Sequence, residues 1–196
     1  MTKTTSTAPT SAAIATEKAL PIPSDHIEVN RRQVIVDHSP AELVRFERTD
    51  GRNSDLLGEH FSTIMDKNGV LKGFTRMDMA LTRDALLSRD RTREIAMAFL
   101  ETYAPDLLSD MKVNWIEAHD ETIHVARGDE TEAVTITGMK MKCRNLNDGR
   151  WFWVIVGADE DVITFERDIV WITFPGHRQT EKWLHDAWLL EHDAAK

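Results

Sequence analysis

The sequence predicts an α+β protein in which antiparallel β-meanders are packed by one central helix and a C-terminal helix. Strand-like apolar runs lie on both sides of a single clear helical segment, and short turn sequences join neighbouring runs. The 196 residues are 41% hydrophobic and 29% charged, a composition typical of globular proteins. A chain of this length buries a core without disulfides or metals, so we expect residues 26–196 to form a single domain.

The first half of this domain is predicted to contain a hairpin and two shorter elements. Residues 34–36 favour an extended segment, and residues 39–42 (Ser-Pro-Ala-Glu) favour a brief helical turn with proline just inside it. Residues 61–65 and 70–74 are strand-like. Asn68-Gly69 between them favours the positive φ angles of a tight hairpin turn.

The central helix has recognisable ends. Ser88 is a suitable N-cap, and Asp90 falls in the first turn, where the helix dipole favours an acid. An apolar stripe follows at helical spacing, formed by Ile95, Phe99 and Tyr103. Pro105 ends the helix, because proline cannot continue the backbone hydrogen bonds.

Strands are predicted to dominate residues 113–174. The apolar positions change parity at Gly138, which favours a β-bulge there. They are Val134 and Ile136 before the glycine and Met139, Met141 and Cys143 after it. Trp151–Val156 and residues 169–174 are apolar on both parities, so we expect each to be covered on both faces.

Thr180 is expected to cap a C-terminal helix. Its apolar face is formed by Trp183, Leu184, Ala187, Trp188 and Leu190. Two arrangements are open: the helix folds back on its own sheet, or it packs on a second copy of the chain.

The N-terminal segment differs in composition from the rest. Residues 1–20 contain 13 Ser, Thr or Ala and no aromatic residue, so residues 1–25 are predicted to form a flexible tail. The apolar stretch at residues 12–15 is too short for the core of a secretory leader. We therefore expect a cytoplasmic protein.

Charge and cysteine content exclude several classes of function. Acidic residues outnumber basic ones 33 to 24, for a net charge of −9, which argues against nucleic-acid binding. Cys143 is the sole cysteine, so neither an intrachain disulfide nor a Cys-rich zinc site can form. No apolar run is longer than that of Trp151–Val156, far short of a membrane span. We predict no membrane partner and no cofactor.

Two hairpins align without gaps when the chain is offset by 91 residues. The matched pairs are Phe61 and Phe152, Ile64 and Ile155, Leu71 and Val162, Phe74 and Phe165, and Arg76 and Arg167. This pattern indicates an internal repeat over residues 44–80 and 134–172, with two related α+β units. Chance similarity between hairpins is the alternative.

Residues 69–76 (Gly-Val-Leu-Lys-Gly-Phe-Thr-Arg) precede the helix that begins after Ser88 and ends before Pro105. This order resembles PepSY-type modules, including tandem repeats of the YcdB/YcdC kind, over about residues 60–175. The resemblance implies an inhibitory, chaperoning or ligand-binding module that has no catalytic residues.

Histidine and carboxylate residues form two groups. His119 and Glu121 point to one face of a predicted strand, where they suit acid–base chemistry or simply face solvent. Glu181 and His185 are spaced one helical turn apart, which favours a surface pair. Neither group supplies the three or four ligands that a metal site needs, so we predict no bound metal.

The remaining candidate residues lie on predicted strands. Lys140, Lys142 and Arg144 form a cationic stripe on one strand face. This stripe could hold an anion, or it could pair with Glu130 and Glu132. Glu166 and Asp168 share a strand face, as two carboxylates of an acid–base site do. The candidate ligand-binding residues are His119, Trp151, Trp153, Glu166 and the stripe residues Lys140, Lys142 and Arg144.

Two functional hypotheses follow. The leading one is a non-catalytic binding or interaction module that self-associates as a homodimer through its Trp-rich strands or its last helix. The alternative is a small-molecule enzyme or carrier with a pocket in a curved sheet, lined by Trp115, Trp151, Trp153, His119 and Glu166. A pocket requires polar groups that converge in an apolar concavity, whereas an interaction module requires an exposed apolar patch.

Overall fold

The fold is built around one antiparallel sheet. The strands are β1 (His26–Val36), β2 (Ser39–Arg48), β3 (His60–Asp66), β4 (Leu71–Met77), β5 (Met111–Arg127), β6 (Glu130–Asn145), β7 (Trp151–Val156), β8 (Val162–Ile169), β9 (Trp171–Ile172) and β10 (His177–Arg178), and the helices are α1 (Arg89–Tyr103) and α2 (Asp186–Asp193). A computed structural model describes residues 20–82, 85–172, 174 and 176–193. Within them, eight strands form the sheet in the order β1-β2-β3-β4-β8-β7-β6-β5, which confirms the α+β class.

Two four-stranded meanders meet at the centre of this sheet. Strands β1 to β4 pair in chain order, as do β5 to β8, and β4 pairs with β8. Phe74 and Phe165 form the middle pair of that junction. A β-bulge follows Ile64 in the first meander and Ile155 in the second, at positions 91 residues apart.

Helix α1 covers one face of the sheet, which we call the helix face. The helix starts as predicted, because the hydroxyl of Ser88 accepts a hydrogen bond from the N–H of Arg91 at 3.1 Å. The ring of Phe99 lies 5.6 Å from that of Phe74 and 5.3 Å from that of Phe165. The helix therefore packs across the junction of the two meanders.

The opposite face, which we call the inner face, carries polar residues such as Thr75, Thr164 and Glu166 near its centre. The tip of the β5–β6 hairpin reaches the loop before β3, because the N–H of His124 donates to the carbonyl of Leu57 at 2.7 Å. Residues 176–193, which we call the C-terminal segment, also lie on this face. A Cβ placed on Gly73 would approach a methyl group of Leu184 to 2.8 Å.

The helical turn predicted at residues 39–42 is wrong, because these residues begin strand β2. Pro40 pairs with Ile35 of β1 but precedes the part of β2 that pairs with β3. Its missing N–H therefore interrupts no pairing with β3, which explains why a proline is tolerated near the start of this strand.

The β-bulge predicted at Gly138 is also wrong. Strands β5 and β6 stay in register through the pair His119–Gly138, and their register shift lies between Val113 and Trp115. The apolar positions of β6 change parity because the residues before Gly138 are buried on the inner face and those after it are buried on the helix face. Ile136 belongs to the inner-face cluster with Trp153, and Met141 belongs to the helix-face cluster with α1.

The strand predicted at residues 169–174 does not form as expected. Asp168 adopts a φ of 60° at a register shift between β7 and β8, and strand β8 ends at Ile169, which still pairs with Trp151. Trp171 then belongs to a separate two-stranded hairpin with β10. Its side chain is 44% exposed and that of Phe174 is 89% exposed, so two-sided burial is wrong here.

The predicted C-terminal helix is shorter than expected, because α2 begins at Asp186 rather than after Thr180. The hydroxyl of Thr180 accepts a hydrogen bond from the N–H of Val170 at 2.8 Å and does not cap a helix. The indole of Trp183 donates to the carbonyl of Ile35 at 2.7 Å. These contacts hold the residues before α2 against the sheet in a non-helical conformation.

Most of the predicted tail, residues 1–19, lies outside the described residues. Leu20 packs against the helix-face core, and Asp25 pairs with Arg48 at 2.8 Å.

Candidate functional site

A cavity of about 390 Å³ lies between the inner face, the tip of the β5–β6 hairpin and the C-terminal segment. Its polar lining consists of His60, Thr75, Asp120, Glu121, Thr122, His124, Thr164, His185 and Asp186. Its apolar lining consists of Leu57, Met77, Ile123, Leu184 and Ala187. The volume is within the range of small-molecule sites, roughly 300–1,000 Å³.

A buried carboxylate stands beside this cavity and holds one of its histidines. Glu166 is 3% exposed, and its Oε1 lies 2.8 Å from Nε2 of His185. Its Oε2 accepts a hydrogen bond from Arg178 at 2.6 Å. Burial alone would raise the pKa of Glu166, but the charge of Arg178 and the hydrogen bond from His185 outweigh it and hold that pKa well below its usual range. Glu166 is therefore ionised and orients the imidazole.

The second wall comes from strand β5. Glu121 Oε1 lies 3.1 Å from Nε2 of His119, which confirms that these two side chains share a face. Burial alone would raise the pKa of Glu121, but the hydrogen bond from His119 and the nearby His185 lower it overall. An ionised carboxylate thus faces the cavity.

Lys140 lies on the sheet beside these carboxylates. Its Nζ is 4.0 Å from the centre of the Trp153 ring, a cation–π distance. Burial lowers the pKa of Lys140 to about 8, although the charges of Glu166 and Glu121 oppose this shift. Lys140 does not line the cavity, because its ammonium group is held against the indole.

The third wall centres on Asp186 at the start of α2. Arg45 donates to both carboxylate oxygens, at 2.8 and 3.1 Å, and the N–H of Leu57 donates at 2.6 Å. His60 is 3% exposed, and its Nδ1 lies 3.1 Å from the carbonyl of Gly58. Burial lowers the pKa of His60 to about 4, so the ring is neutral at pH 7. Within the described residues, its Nε2 has no hydrogen-bond partner.

The other predicted site residues gather around a second group of aromatic rings. The Nζ of Lys142 lies 5.5 Å from the ring of Trp115, 4.6 Å from Trp151 and 5.0 Å from Trp171. Arg144 lies 5.5 Å from the ring of Trp151. The stripe residues therefore face indole rings, while Glu132 pairs with Arg127 at 3.0 Å. Of the predicted pocket residues, His119, Trp153 and Glu166 lie next to the cavity wall.

The predicted pair of Glu181 and His185 does not form. Glu181 accepts a hydrogen bond from the N–H of Asp37, whereas His185 pairs with Glu166, because the two residues precede α2 and share no helix. Asp168, which was expected to share a strand face with Glu166, forms an ion pair with Lys72 at 2.7 Å.

Four residues of the site were not recognisable from the sequence: His60, Arg45, Arg178 and Asp186. Each is a single charged or polar residue in an otherwise ordinary segment, and their partners lie up to 141 positions away in the chain. A buried arginine cannot be distinguished from a surface arginine by its neighbours in sequence. The sequence of strand β2 gave one indication of a buried arginine. Arg45 directly follows the apolar residues Leu43 and Val44 with no turn between them, so it belongs to the same strand.

The chemistry that this arrangement supports is recognition and proton transfer. His185 lines the cavity while its Nε2 is held by Glu166, an arrangement that suits hydrogen bonding or proton transfer to a bound molecule. The hydroxyls of Thr75 and Thr164, 2.8 Å apart, supply further hydrogen bonds. No group of three or more potential metal ligands occurs within the described ranges.

No family model, no curated protein and no solved structure matches this chain. Among the described residues, no helix has the length and apolar composition required to cross a bilayer. The fold and the site thus define an α+β protein with a polar cavity on the inner face of a single antiparallel sheet.

Proposed function

We propose that this protein binds a small polar molecule in the inner-face cavity. The observation that carries the proposal is the convergence of two imidazoles (His60 and His185), two carboxylates (Glu121 and Asp186) and two threonines (Thr75 and Thr164) in one concavity of about 390 Å³ that also has apolar walls. Such a combination suits a ligand that is oriented by a few hydrogen bonds and enclosed by apolar contacts. The proposal favours the pocket hypothesis over an interaction module as the primary role.

The Glu166–Arg178 pair supports this role, because it fixes the C-terminal segment that closes the cavity. Arg178 also donates to the carbonyls of Thr180 and Glu181 at 2.9 and 2.8 Å. A ligand therefore meets a wall that is already ordered, and binding costs less conformational entropy. His185 extends from this wall as the group able to exchange a proton with the ligand.

A thermal-shift screen of small polar molecules tests the proposal. Binding raises the melting temperature, because a ligand that binds only the folded state stabilises it. We expect each stabilising compound to lose its effect in His185→Gln and to keep it in His192→Gln, a matched control on the exposed surface of α2. A screen without stabilising compounds, or shifts that persist in His185→Gln, would contradict cavity binding.

Self-association is a second candidate function, favoured by the exposed aromatic side chains of Trp171 and Phe174. We propose a homodimer that buries this hairpin. Light scattering at micromolar concentration should give twice the chain mass of 22.4 kDa, and Phe174→Ser should reduce it. A monomeric mass at every concentration would remove this candidate.

We also propose that the two halves of the chain are copies of one ββββα unit. The offset of 91 residues relates β3 to β7 and β4 to β8, including the bulges after Ile64 and Ile155. It also relates the turn that follows Val36 to the turn that follows Arg127. At the junction, Phe74 pairs with its own counterpart Phe165, as expected for two copies related by a local twofold axis.

A further inference from the structure

We propose that the inner-face cavity selects a small organic cation, such as a primary alkylamine, over neutral or anionic molecules of the same size. This inference rests on the proposed function and names the ligand class of the same cavity. It depends on the charge of the cavity wall, on one unsatisfied acceptor and on the apolar surface beside them.

Two carboxylates, Glu121 and Asp186, face the cavity, and the lining residues within the described ranges include no lysine or arginine. Asp186 is neutralised by Arg45. Glu121 has no lysine or arginine ion pair in the described part of the chain. Its hydrogen-bond partner is the imidazole of His119. An incoming ammonium group would therefore meet a carboxylate that is paired only with an imidazole.

The second observation is the imidazole of His60. Its Nδ1 is directed to the carbonyl of Gly58, so the neutral ring presents Nε2 as a hydrogen-bond acceptor. This nitrogen is buried in a residue that lines the cavity, and no donor among the described residues reaches it. A buried acceptor without a donor is unfavourable. A primary ammonium group carries three N–H donors and can satisfy this acceptor together with a carboxylate.

The nearby cations are held outside the cavity lining. Arg178 is held by Glu166, and Lys140 is held over the ring of Trp153. Neither side chain is part of the cavity lining, so neither is positioned to bind an anionic ligand there. The apolar lining, which includes Met77 and Ile123, provides contact for an alkyl chain.

Three probes of similar size but different charge test the inference: n-butylamine, 1-butanol and butyrate, each at pH 8 and constant ionic strength. Binding is measured by thermal shift and by titration of amide resonances. We expect butylammonium to raise the melting temperature and to shift resonances of residues that line the cavity. Butanol and butyrate should do neither at the same concentration.

The decisive variant is Glu121→Gln, with Glu117→Gln as its matched control. Glu117 lies on the same strand, is exposed and is absent from the cavity lining, so both variants remove one negative charge. We expect Glu121→Gln to weaken butylammonium binding by about tenfold, because a charge-assisted hydrogen bond is lost. Glu117→Gln should leave binding unchanged.

Three results would overturn the inference. Equal or tighter binding of butanol or butyrate would reject a cation site, while leaving cavity binding itself intact. An equal loss in both glutamine variants would show that net charge, and not the cavity, attracts the amine. Silence of all three probes would also reject the cation class. The proposed function would then stand or fall on the broader screen of polar compounds.

Discussion

Replacing Glu166 by glutamine should destabilise the protein severely. The carboxylate and its partner Arg178 are both deeply buried, with side chains 4% and 6% exposed, and they are 2.6 Å apart. The substitution removes the negative charge but leaves the guanidinium in place. Removal of one member of a buried ion pair typically costs about 3–5 kcal/mol. We expect the lower end of that range, because the amide oxygen of glutamine still accepts one hydrogen bond.

Urea unfolding measures this effect. With a slope of about 2 kcal/mol/M, a loss of about 3 kcal/mol lowers the unfolding midpoint by roughly 1.5 M. Glu160→Gln is the matched control. Glu160 forms a two-pronged pair with Arg91, but the two side chains are 49% and 46% exposed, so its midpoint should barely change. Equal unfolding midpoints for Glu166→Gln and Glu160→Gln would refute the conclusion that Glu166 is buried and ionised.

The pH dependence provides an independent check. Because the pKa of Glu166 is depressed in the folded state, its contribution is fully present above the unfolded value of about 4.3 and is lost as the pH falls through the folded pKa. The stability difference between wild type and Glu166→Gln should therefore stay constant from pH 7 to about 5 and narrow at lower pH. A difference that grows on acidification would have the wrong sign and would refute the assignment.

Other substitutions test the core and the N-terminal segment. Phe74→Leu and Phe165→Leu should each lower the free energy of unfolding in urea by about 1–2 kcal/mol. The two losses should be similar, because both rings contact Phe99. Strongly unequal losses would argue that the two positions are not equivalent. Cys143 is fully buried and burial raises its pKa to about 12, so it should react with Ellman's reagent only on unfolding; rapid reaction of the native protein would contradict this burial. Removing residues 1–19 should leave the melting temperature unchanged, because their composition is polar. Extending the deletion through Leu20 should lower the melting temperature, because Leu20 packs against the helix-face core. Equal melting temperatures for the two deletions would argue against this packing.

The elements that the sequence predicted well are those with local causes. Ser88 caps α1 through the N–H three residues ahead, and Pro105 lies just beyond its end. The hairpin around Asn68-Gly69 forms because Gly69 adopts a φ of 79°. In each case the determining contact lies within a few positions of the residue that signals it. The bulge predicted at Gly138 was wrong, because distant segments decide which face of each half of β6 is buried. The two-sided burial predicted for Trp151–Val156 was confirmed.

The sequence by itself thus determined the α+β class, the central helix, the meander hairpins and the shared face of His119 and Glu121. Only the tertiary structure decided where the cavity lies. Pairing of β4 with β8 places Glu166 at the centre of the sheet, and the C-terminal segment then brings His185 against it. The physical reason is that a buried charge is stable only when it is paired and hydrogen-bonded. The residues that pair with it come from segments that are brought together only by the fold.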